Sequence, residues 1–177
     1  VASKPDYSLL ESGLTPGLEY PVFASDVGPV GVQICFDLEF EDGWNALGRG
    51  GARIVFWPSA YDGGMPLSWY AYHNSYYVVG SVLTAHARVV DPLGREIAAT
   101  NRWNHVAVSD ISTDFVVCHI DYHRDLWYEI VEKYGDRVRC DVLGEESRLL
   151  VESHDDDLPA SEIVREFGLD PVRDYID

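Results

Sequence analysis

A cysteine followed at once by acidic residues is the stretch of this sequence with the clearest chemical potential. Positions 31 to 42 read GVQICFDLEFED, so Cys35 ends a short apolar run and carboxylates follow it. The thiolate of such a cysteine can act as a nucleophile and form a covalent intermediate. The carboxylates alone disfavour a thiolate, so a working nucleophile needs a cation or a base nearby. Lys4, one of only two lysines in the chain, is the candidate cation.

A buried, unreactive cysteine is the competing interpretation, because free cysteine often serves as a small hydrophobic residue. Cys118 and Cys140 fit that interpretation, since each lies inside a strand pattern. Cys35 differs because it lies where a parallel strand should end, and reactive groups of open α/β sheets gather at such ends. At that bend the backbone N–H of Phe36 could also face a developing oxyanion.

Strands and short helices alternate around Cys35 and must position it. Apolar runs between turn residues predict strands, and apolar residues at helical spacing predict helices. In the first half of the chain these patterns predict a weak strand over 20–25, a strand over 30–35, a helix over 41–50, a strand over 52–60 and a helix over 67–78.

The residues directly after the second buried strand are candidates for a substrate pocket. Ser59, Ala60 and Tyr61 follow that strand, and neighbouring parallel strands end at the same edge of a sheet. We therefore expect these three residues to lie near Cys35.

The second half of the chain is richer in strand patterns. We predict strands over 78–85, 87–92, 96–100, 105–111 and 115–120, outer strands over 137–143 and 147–153, and helices over 125–135 and 161–168. The strand–helix–strand–helix order followed by several strands predicts an α/β fold, with a mixed sheet covered by helices.

Composition excludes several classes of protein. The chain has 177 residues, 46% of them hydrophobic, which suffices for a sizeable core and excludes a disordered chain. No apolar run is long enough to cross a bilayer, so we predict no membrane association. A formal net charge of −17 repels nucleic acid. Three cysteines without pairwise spacing suit a reducing compartment, which predicts a cytoplasmic location.

No pattern indicates a metal or a cofactor. His119 and His123 are four residues apart, a spacing that holds metals on helices. However, His119 continues a strand pattern and no third ligand is evident, so ordinary packing is the favoured interpretation. Phosphate-binding loops, dinucleotide glycine fingerprints and zinc cysteine spacings are not found in the sequence.

Two linked motifs resemble the carbon–nitrogen hydrolase (nitrilase) superfamily. They are GPVGVQICFDLEFED and, after a short predicted helix, GGARIVFWPSAY, and the stretches LTPGLEYPVF and ARVVDPLGREIAAT resemble the family as well. The resemblance runs from about Lys4 to about Ile120. It implies part of a four-layer α-β-β-α sandwich, with residues 1–120 as the C-terminal part of the domain and 121–177 as an extension with possible oligomer contacts.

The resemblance also implies roles for individual residues. Cys35 falls on the nucleophile of a Cys–Glu–Lys triad, Lys4 on the triad lysine, and Glu11 near a further glutamate beside the site. Anchoring the comparison at GLTPG instead would place the lysine column on Ala2. The glutamate base falls before the lysine in the family, so no residue of this sequence is assigned to it. We expect the N-terminal portion of the domain to be missing from this sequence.

The activity implied by the resemblance is hydrolysis of a non-peptide carbon–nitrogen bond in a small amide or N-carbamoyl compound. The enzyme would pass through an acyl-cysteine, need no cofactor and form a homo-oligomer. Nitrile hydrolysis is disfavoured, because Phe36 and Asp37 stand where that branch has Trp-Glu. The alternative is a catalytically silent fragment or binding module that lacks the glutamate base.

Overall fold

The computed structural model describes residues 17–121, 123 and 125–176. The chain divides into two compact units, Val1–Ser109 and Asp110–Asp177. Each unit is built around its own sheet and its own hydrophobic core. Among the described residues, no helix combines the length and the apolar character that a membrane span requires.

The first unit contains a five-stranded mixed sheet with the strand order β1-β2-β3-β4-β5. Strands β1 to β3 run parallel, and β4 and β5 extend the sheet as an antiparallel hairpin. Helix α1 connects β1 to β2, and helix α2 connects β2 to β3, as parallel neighbours require. The bounds are β1 Val30–Val32, α1 Glu41–Arg49, β2 Ile54–Ser59, α2 Met65–Asn74, β3 Tyr77–Val82, β4 Arg88–Val90 and β5 Glu96–Ala99.

Strand alternation gives this sheet two different faces. On one face Val55 and Trp57 are fully buried in a core that includes residues of both helices: Trp44, Leu47, Leu67, Tyr70 and Ala71. On the other face Val32 and Phe56, which are register partners, remain 43% and 37% exposed. The sheet thus has a second apolar face, as expected of one layer of a sandwich.

The second unit contains a four-stranded antiparallel sheet with the order β7-β8-β6-β9. Its hydrophobic cluster includes Cys118, Ile130, Leu149 and Ile163. The bounds are β6 Phe115–His119, α3 Leu126–Tyr134, β7 Val138–Leu143, β8 Arg148–Ser153, α4 Ala160–Glu166, β9 Asp170–Pro171 and α5 Val172–Ile176.

The α/β prediction is confirmed, and most predicted elements are present with shorter bounds. Three details of the prediction were wrong. Residues 20–25 form no strand, because only Phe23 pairs, in an isolated bridge with Val30. Residues 105–111 alternate like a strand but have no sheet partner, and Val108 is 82% exposed. The strand predicted over 147–153 as an outer one is β8, which lies between β7 and β6 and is buried along its whole length.

The boundary between the parts of the chain was predicted after residue 120. The contact pattern instead separates the two units at Ser109 and Asp110, so that β6 belongs to the second unit. The predicted boundary concerns the family domain and not these packing units, and it stays a prediction.

Candidate active site

Cys35 lies three residues after β1 and begins a short 3-10 turn, Cys35–Glu39. Its φ of 48° places a non-glycine residue in the left-handed region. Such a conformation costs on the order of 1–3 kcal/mol and persists only where surrounding contacts hold it. The backbone of Cys35 must therefore be fixed by its neighbours.

Asp37 provides the first of these contacts from within the turn. The backbone N–H of Ile34 donates to the Asp37 carboxylate oxygen Oδ2 at 2.9 Å, and the N–H of Asp37 donates to the Ile34 carbonyl at 2.9 Å. The Asp37 residue is only 5% exposed. This reciprocal pair brackets Cys35 and closes the turn around it.

The carbonyl oxygen of Cys35 is held from the neighbouring strand. The indole Nε1 of Trp57 donates to it at 3.0 Å, and the hydroxyl of Tyr61 donates to it at 3.4 Å. The two rings meet edge to face, with centroids 5.4 Å apart. Residues from β2 and from the loop after it therefore meet at the peptide bond that follows Cys35.

The helices support the later part of the same turn. Trp44 on α1 donates its indole N–H to the Asp37 carbonyl at 3.1 Å, and Tyr70 on α2 donates its hydroxyl to the Leu38 carbonyl at 3.1 Å. Trp44 and Tyr70 stack with their ring planes 3° apart. Core residues thus satisfy the carbonyls of the turn, which would otherwise be costly to bury.

The three thiols occupy different settings. All three are free, and Cys118 is buried, whereas Cys35 and Cys140 are partly accessible. Burial, followed by the charge of Cys140, raises the pKa of Cys118 to about 12. Burial, followed by the charge of Asp141, raises the pKa of Cys140 to about 12 as well. The raised pKa values disfavour the thiolate at both positions, although Cys140 lies on the edge strand β7 and is partly accessible.

Of the three predicted pocket residues, Tyr61 is the one for which a contact with Cys35 is described. Tyr61 reaches the Cys35 carbonyl, and its pKa is raised by burial first and then by the charges of Glu39 and Cys35, so it remains a donor at neutral pH. Ser59 holds the Tyr61 backbone, since its Oγ accepts the Tyr61 N–H at 3.1 Å. Ala60 is exposed. Their role as a substrate pocket stays a prediction.

The other predicted site residues are only partly covered by the structure. Lys4 and Glu11 lie outside the described residues, so their roles stay predictions. The side chain of Phe36 is 49% exposed and meets Phe40 edge to face at 6.1 Å. The role of its backbone N–H toward an oxyanion also stays a prediction.

The sequence analysis does not predict that Trp57 and Asp37 hold the backbone next to Cys35. Trp57 reads as one more apolar residue of a buried strand, and only the fold shows that its N–H reaches Cys35. Asp37 gave a usable signal, because an acidic residue three positions after a strand end can accept the backbone N–H at the start of a turn. The sequence analysis assigns it no role in holding the turn.

Of the two histidines with metal-like spacing, His119 makes two contacts within the second unit. The ring of His119 stacks on Tyr175 with centroids 3.9 Å apart, and its Nε2 lies 3.8 Å from the Asp121 carboxylate. No cluster of three or more side chains suited to a metal ion occurs among the residues that the structure describes.

Comparison with known proteins gives one family for most of the chain. The family model "Carbon-nitrogen hydrolase" matches residues 4–117. The deaminated glutathione amidase of Synechocystis sp. strain PCC 6803 is 29% identical over 117 residues, which are 55% of this chain and 43% of that protein. The chain thus spans less than half the length of this curated relative.

Solved structures share the fold at lower identity. One is a mutant of the amidase from Nesterenkonia sp. AN1 with the acetamide moiety of fluoroacetamide added covalently at its active site cysteine. It superposes with a TM-score of 0.52 and 21% identity, over 70% of this chain and 51% of that one. Another mutant of this amidase, in complex with butyramide, has a TM-score of 0.51 and 20% identity, over 68% of this chain and 49% of that one. The first unit's sheet is accordingly part of a nitrilase-like fold.

Proposed function

This chain belongs to the carbon–nitrogen hydrolase family, and from that premise we propose that it carries the nucleophile of an amidase. Cys35 would attack a small amide and form an acyl-cysteine, which water then hydrolyses. The reaction requires no metal or organic cofactor. The whole protein's activity is a proposal, since the chain spans about half the length of its relatives.

The observation that carries this proposal is the setting of Cys35. Its thiol belongs to a residue with φ of 48° at the start of a turn that five side chains brace: Asp37, Trp44, Trp57, Tyr61 and Tyr70. A partly accessible cysteine beyond the end of a parallel strand is placed where a substrate can reach it, as nucleophilic catalysis requires. A cysteine that only fills space needs no such support.

The chemistry balances in two steps. The Cys35 sulfur forms a bond to the carbonyl carbon, and the thiol proton passes to a base. Collapse of the tetrahedral intermediate breaks the carbon–nitrogen bond, and the nitrogen leaves as ammonia or an amine after taking up a proton. Water then attacks the thioester, which releases the carboxylic acid and restores the thiol.

The proposal also assigns roles to residues other than Cys35. Lys4 and the backbone N–H of Phe36 would stabilise the oxyanion of the tetrahedral intermediate, and Glu11 would lie beside the site. Ser59, Ala60 and Tyr61 would line the pocket for the acyl portion. The family resemblance gives the base as a glutamate, and no residue of this sequence is assigned to that role.

A small aliphatic amide is the substrate class we favour over an N-carbamoyl compound. The relatives named above are amidases, and one of them is seen with butyramide. We also propose a homo-oligomer in the cytoplasm, where three unpaired cysteines would remain reduced.

Ammonia release from a panel of amides tests the proposal. The protein is prepared in the form in which it occurs naturally and is given acetamide, propionamide, butyramide and an N-carbamoyl amino acid. Cys35→Ala should lower the rate by at least about a thousandfold, because it removes the nucleophile. Cys140→Ala is the matched control, since it removes another partly accessible thiol, which lies within strand β7, and it should retain the activity.

Two results would contradict the proposal. Ammonia release that survives Cys35→Ala would remove the nucleophile assignment. No release from any compound of the panel by the unmodified protein would favour a catalytically silent module.

A further inference from the structure

We propose that Trp57 is a positioning residue for catalysis. Its indole N–H fixes the peptide between Cys35 and Phe36, and so aims the N–H of Phe36 at the oxyanion formed on the substrate. This inference rests on the proposed amidase function and assigns a role to a residue outside the expected triad.

The planarity of the peptide bond couples the direction of the Cys35 carbonyl to that of the Phe36 N–H. In a planar trans peptide, the C=O of one residue and the N–H of the next point in opposite directions. The described residues contain no cis peptide bond. A donor that holds the Cys35 carbonyl therefore also sets the direction of the Phe36 N–H. Rotation of this peptide plane would turn the N–H away from the substrate.

The Cys35 carbonyl has two donors that prevent such a rotation. Trp57 Nε1 donates at 3.0 Å, within the normal range for an N–H···O bond, and the Tyr61 hydroxyl donates at 3.4 Å. Because the φ of Cys35 is 48°, the backbone is unfavourable by itself and depends on these partners. The shorter bond makes Trp57 the main determinant of the orientation.

The indole is itself held in place, as a positioning group must be. Trp57 is fully buried, and its register partner in the sheet is Gly80. A Cβ atom at Gly80 would lie 3.6 Å from the indole Cε3, and a Cβ atom at Gly63 would lie 2.7 Å from its Cη2. A Cβ atom at Gly80 would thus make an ordinary contact, whereas the indole occupies the space that a side chain at Gly63 would need. The strand fixes the direction of the indole N–H.

This role predicts a specific kinetic signature. Amide hydrolysis develops an oxyanion that the Phe36 N–H would stabilise, whereas alkylation of the thiol by iodoacetamide does not. In alkylation the sulfur displaces iodide at a saturated carbon, forms a carbon–sulfur bond and loses its proton to the solvent. Loss of the Trp57 N–H should therefore slow hydrolysis and leave alkylation of Cys35 unchanged.

The experiment compares both rates in Trp57→Phe and in the unmodified protein. We expect kcat for the preferred amide to fall about 10- to 100-fold, with KM changed by less than about threefold, since the interaction acts in the transition state. The rate constant for Cys35 alkylation should stay within about twofold of the unmodified value, because the thiol itself is retained.

Trp44→Phe is the matched control. It also removes a fully buried indole N–H bonded to a backbone carbonyl of the same turn, but that carbonyl belongs to Asp37. A general effect of core loosening would appear in both variants. We expect kcat of this variant to fall clearly less than in Trp57→Phe, because Trp44 braces a later carbonyl of the turn and the Cys35–Phe36 peptide keeps its donors.

Replacement of Trp57 by β-(3-benzothienyl)alanine tests the same point with the size of the ring system retained. Sulfur takes the place of the N–H, so the bond is lost while the core stays filled, and this variant decides the question if Trp57→Phe does not fold. The milder Tyr61→Phe should lower kcat by about two- to threefold, in keeping with its longer bond.

Three outcomes would overturn the inference. The first is unchanged kcat in the benzothienyl variant. The second is an equal loss of hydrolysis and alkylation, which would mean that Trp57 merely holds the thiol. The third is an equal loss of kcat in Trp44→Phe. None of these resembles failure of the proposed function, in which the unmodified protein would release no ammonia or would do so without Cys35.

Discussion

Two cysteines of this protein lie in opposite settings, one just after a strand and the other inside a different strand. Cys35 follows β1 at a bend with positive φ, where an indole and a phenol hold its carbonyl. Cys118 lies within β6, pairs in register with Leu149 on the neighbouring strand and is fully buried. The thiol of Cys35 is partly accessible at a bend, whereas the thiol of Cys118 is buried inside the sheet.

This difference shows that the same residue type occurs in two backbone settings, from which we expect different thiol reactivity. A strand interior offers each side chain one of two faces, and a buried face raises the pKa of a thiol because the thiolate cannot be solvated. A sharp bend after a strand frees the side chain from both faces, but the bend costs free energy. The aromatic and carboxylate contacts around Cys35 offset that cost.

Thiol alkylation should reveal the largest contrast between these sites. With their pKa values raised to about 12, Cys118 and Cys140 are thiolates in only about one molecule in ten thousand at pH 8. We expect iodoacetamide at pH 8 to label Cys35 at least about a hundredfold faster than either of them, as measured by peptide mass spectrometry over time. Comparable labelling of all three in the folded protein would remove the contrast.

The support of Cys35 should also be sensitive to the shape of the space around Trp57. Gly63→Ala places a Cβ atom 2.7 Å from the indole and adds a side chain at φ of 73°. We expect the free energy of unfolding to fall by about 2–4 kcal/mol, from overpacking and backbone strain together. Urea unfolding of the purified variant measures this loss.

Gly64→Ala is the control for that substitution. Its φ of 65° and ψ of −143° are also unfavourable for a residue with a side chain, but no atom lies within 4 Å of the added Cβ. We expect a loss of about 1–3 kcal/mol, from the backbone alone and without overpacking. Equal losses in the two variants would show that the fit around Trp57 contributes nothing.

The raised pKa of Cys140 should produce the smallest effect, a loss of stability in alkaline solution. The pKa of Cys140 in the folded state is raised above that of an unfolded thiol, so its contribution to stability is complete below about pH 9. That contribution is lost as the pH rises from about 9 towards 12. Between pH 8 and pH 10 we expect the unfolding free energy to fall by about 1 kcal/mol on account of this group.

Cys140→Ala should fall less steeply over the same interval, because it removes one of the groups that titrate. Urea unfolding at pH 8, 9 and 10 compares the two slopes. Identical slopes would mean that Cys140 does not titrate differently in the folded and unfolded protein.

Much of the fold could be predicted from sequence because its signals are local. The apolar run at 52–60 and the helical spacing at 41–50 and 125–135 correspond to β2, α1 and α3. Where pairing decides the outcome, local signals failed. Residues 105–111 alternate as a strand does, yet a strand exists only if a neighbour accepts its hydrogen bonds. The position of β8 at the interior of its sheet likewise depends on long-range pairing.

The residues of the candidate site also differ in whether a local sequence pattern predicts them. Cys35 could be identified because its motif is contiguous, and Tyr61 because it follows the next parallel strand. The hydrogen bond from Trp57 joins residues 22 positions apart through the register of the sheet, and no local pattern records it. Asp37 lies between these cases, since its bond to Ile34 spans only three positions.

Trapping of the acyl-enzyme tests the central claim most directly. The protein is mixed with butyramide, quenched with acid within one turnover, and digested at low pH so that a thioester survives for mass spectrometry. The account predicts a butyryl group on the peptide that contains Cys35, absent in Cys35→Ala and discharged by water on longer incubation. Ammonia release with the acyl group on another residue, or with no covalent intermediate at all, would contradict it.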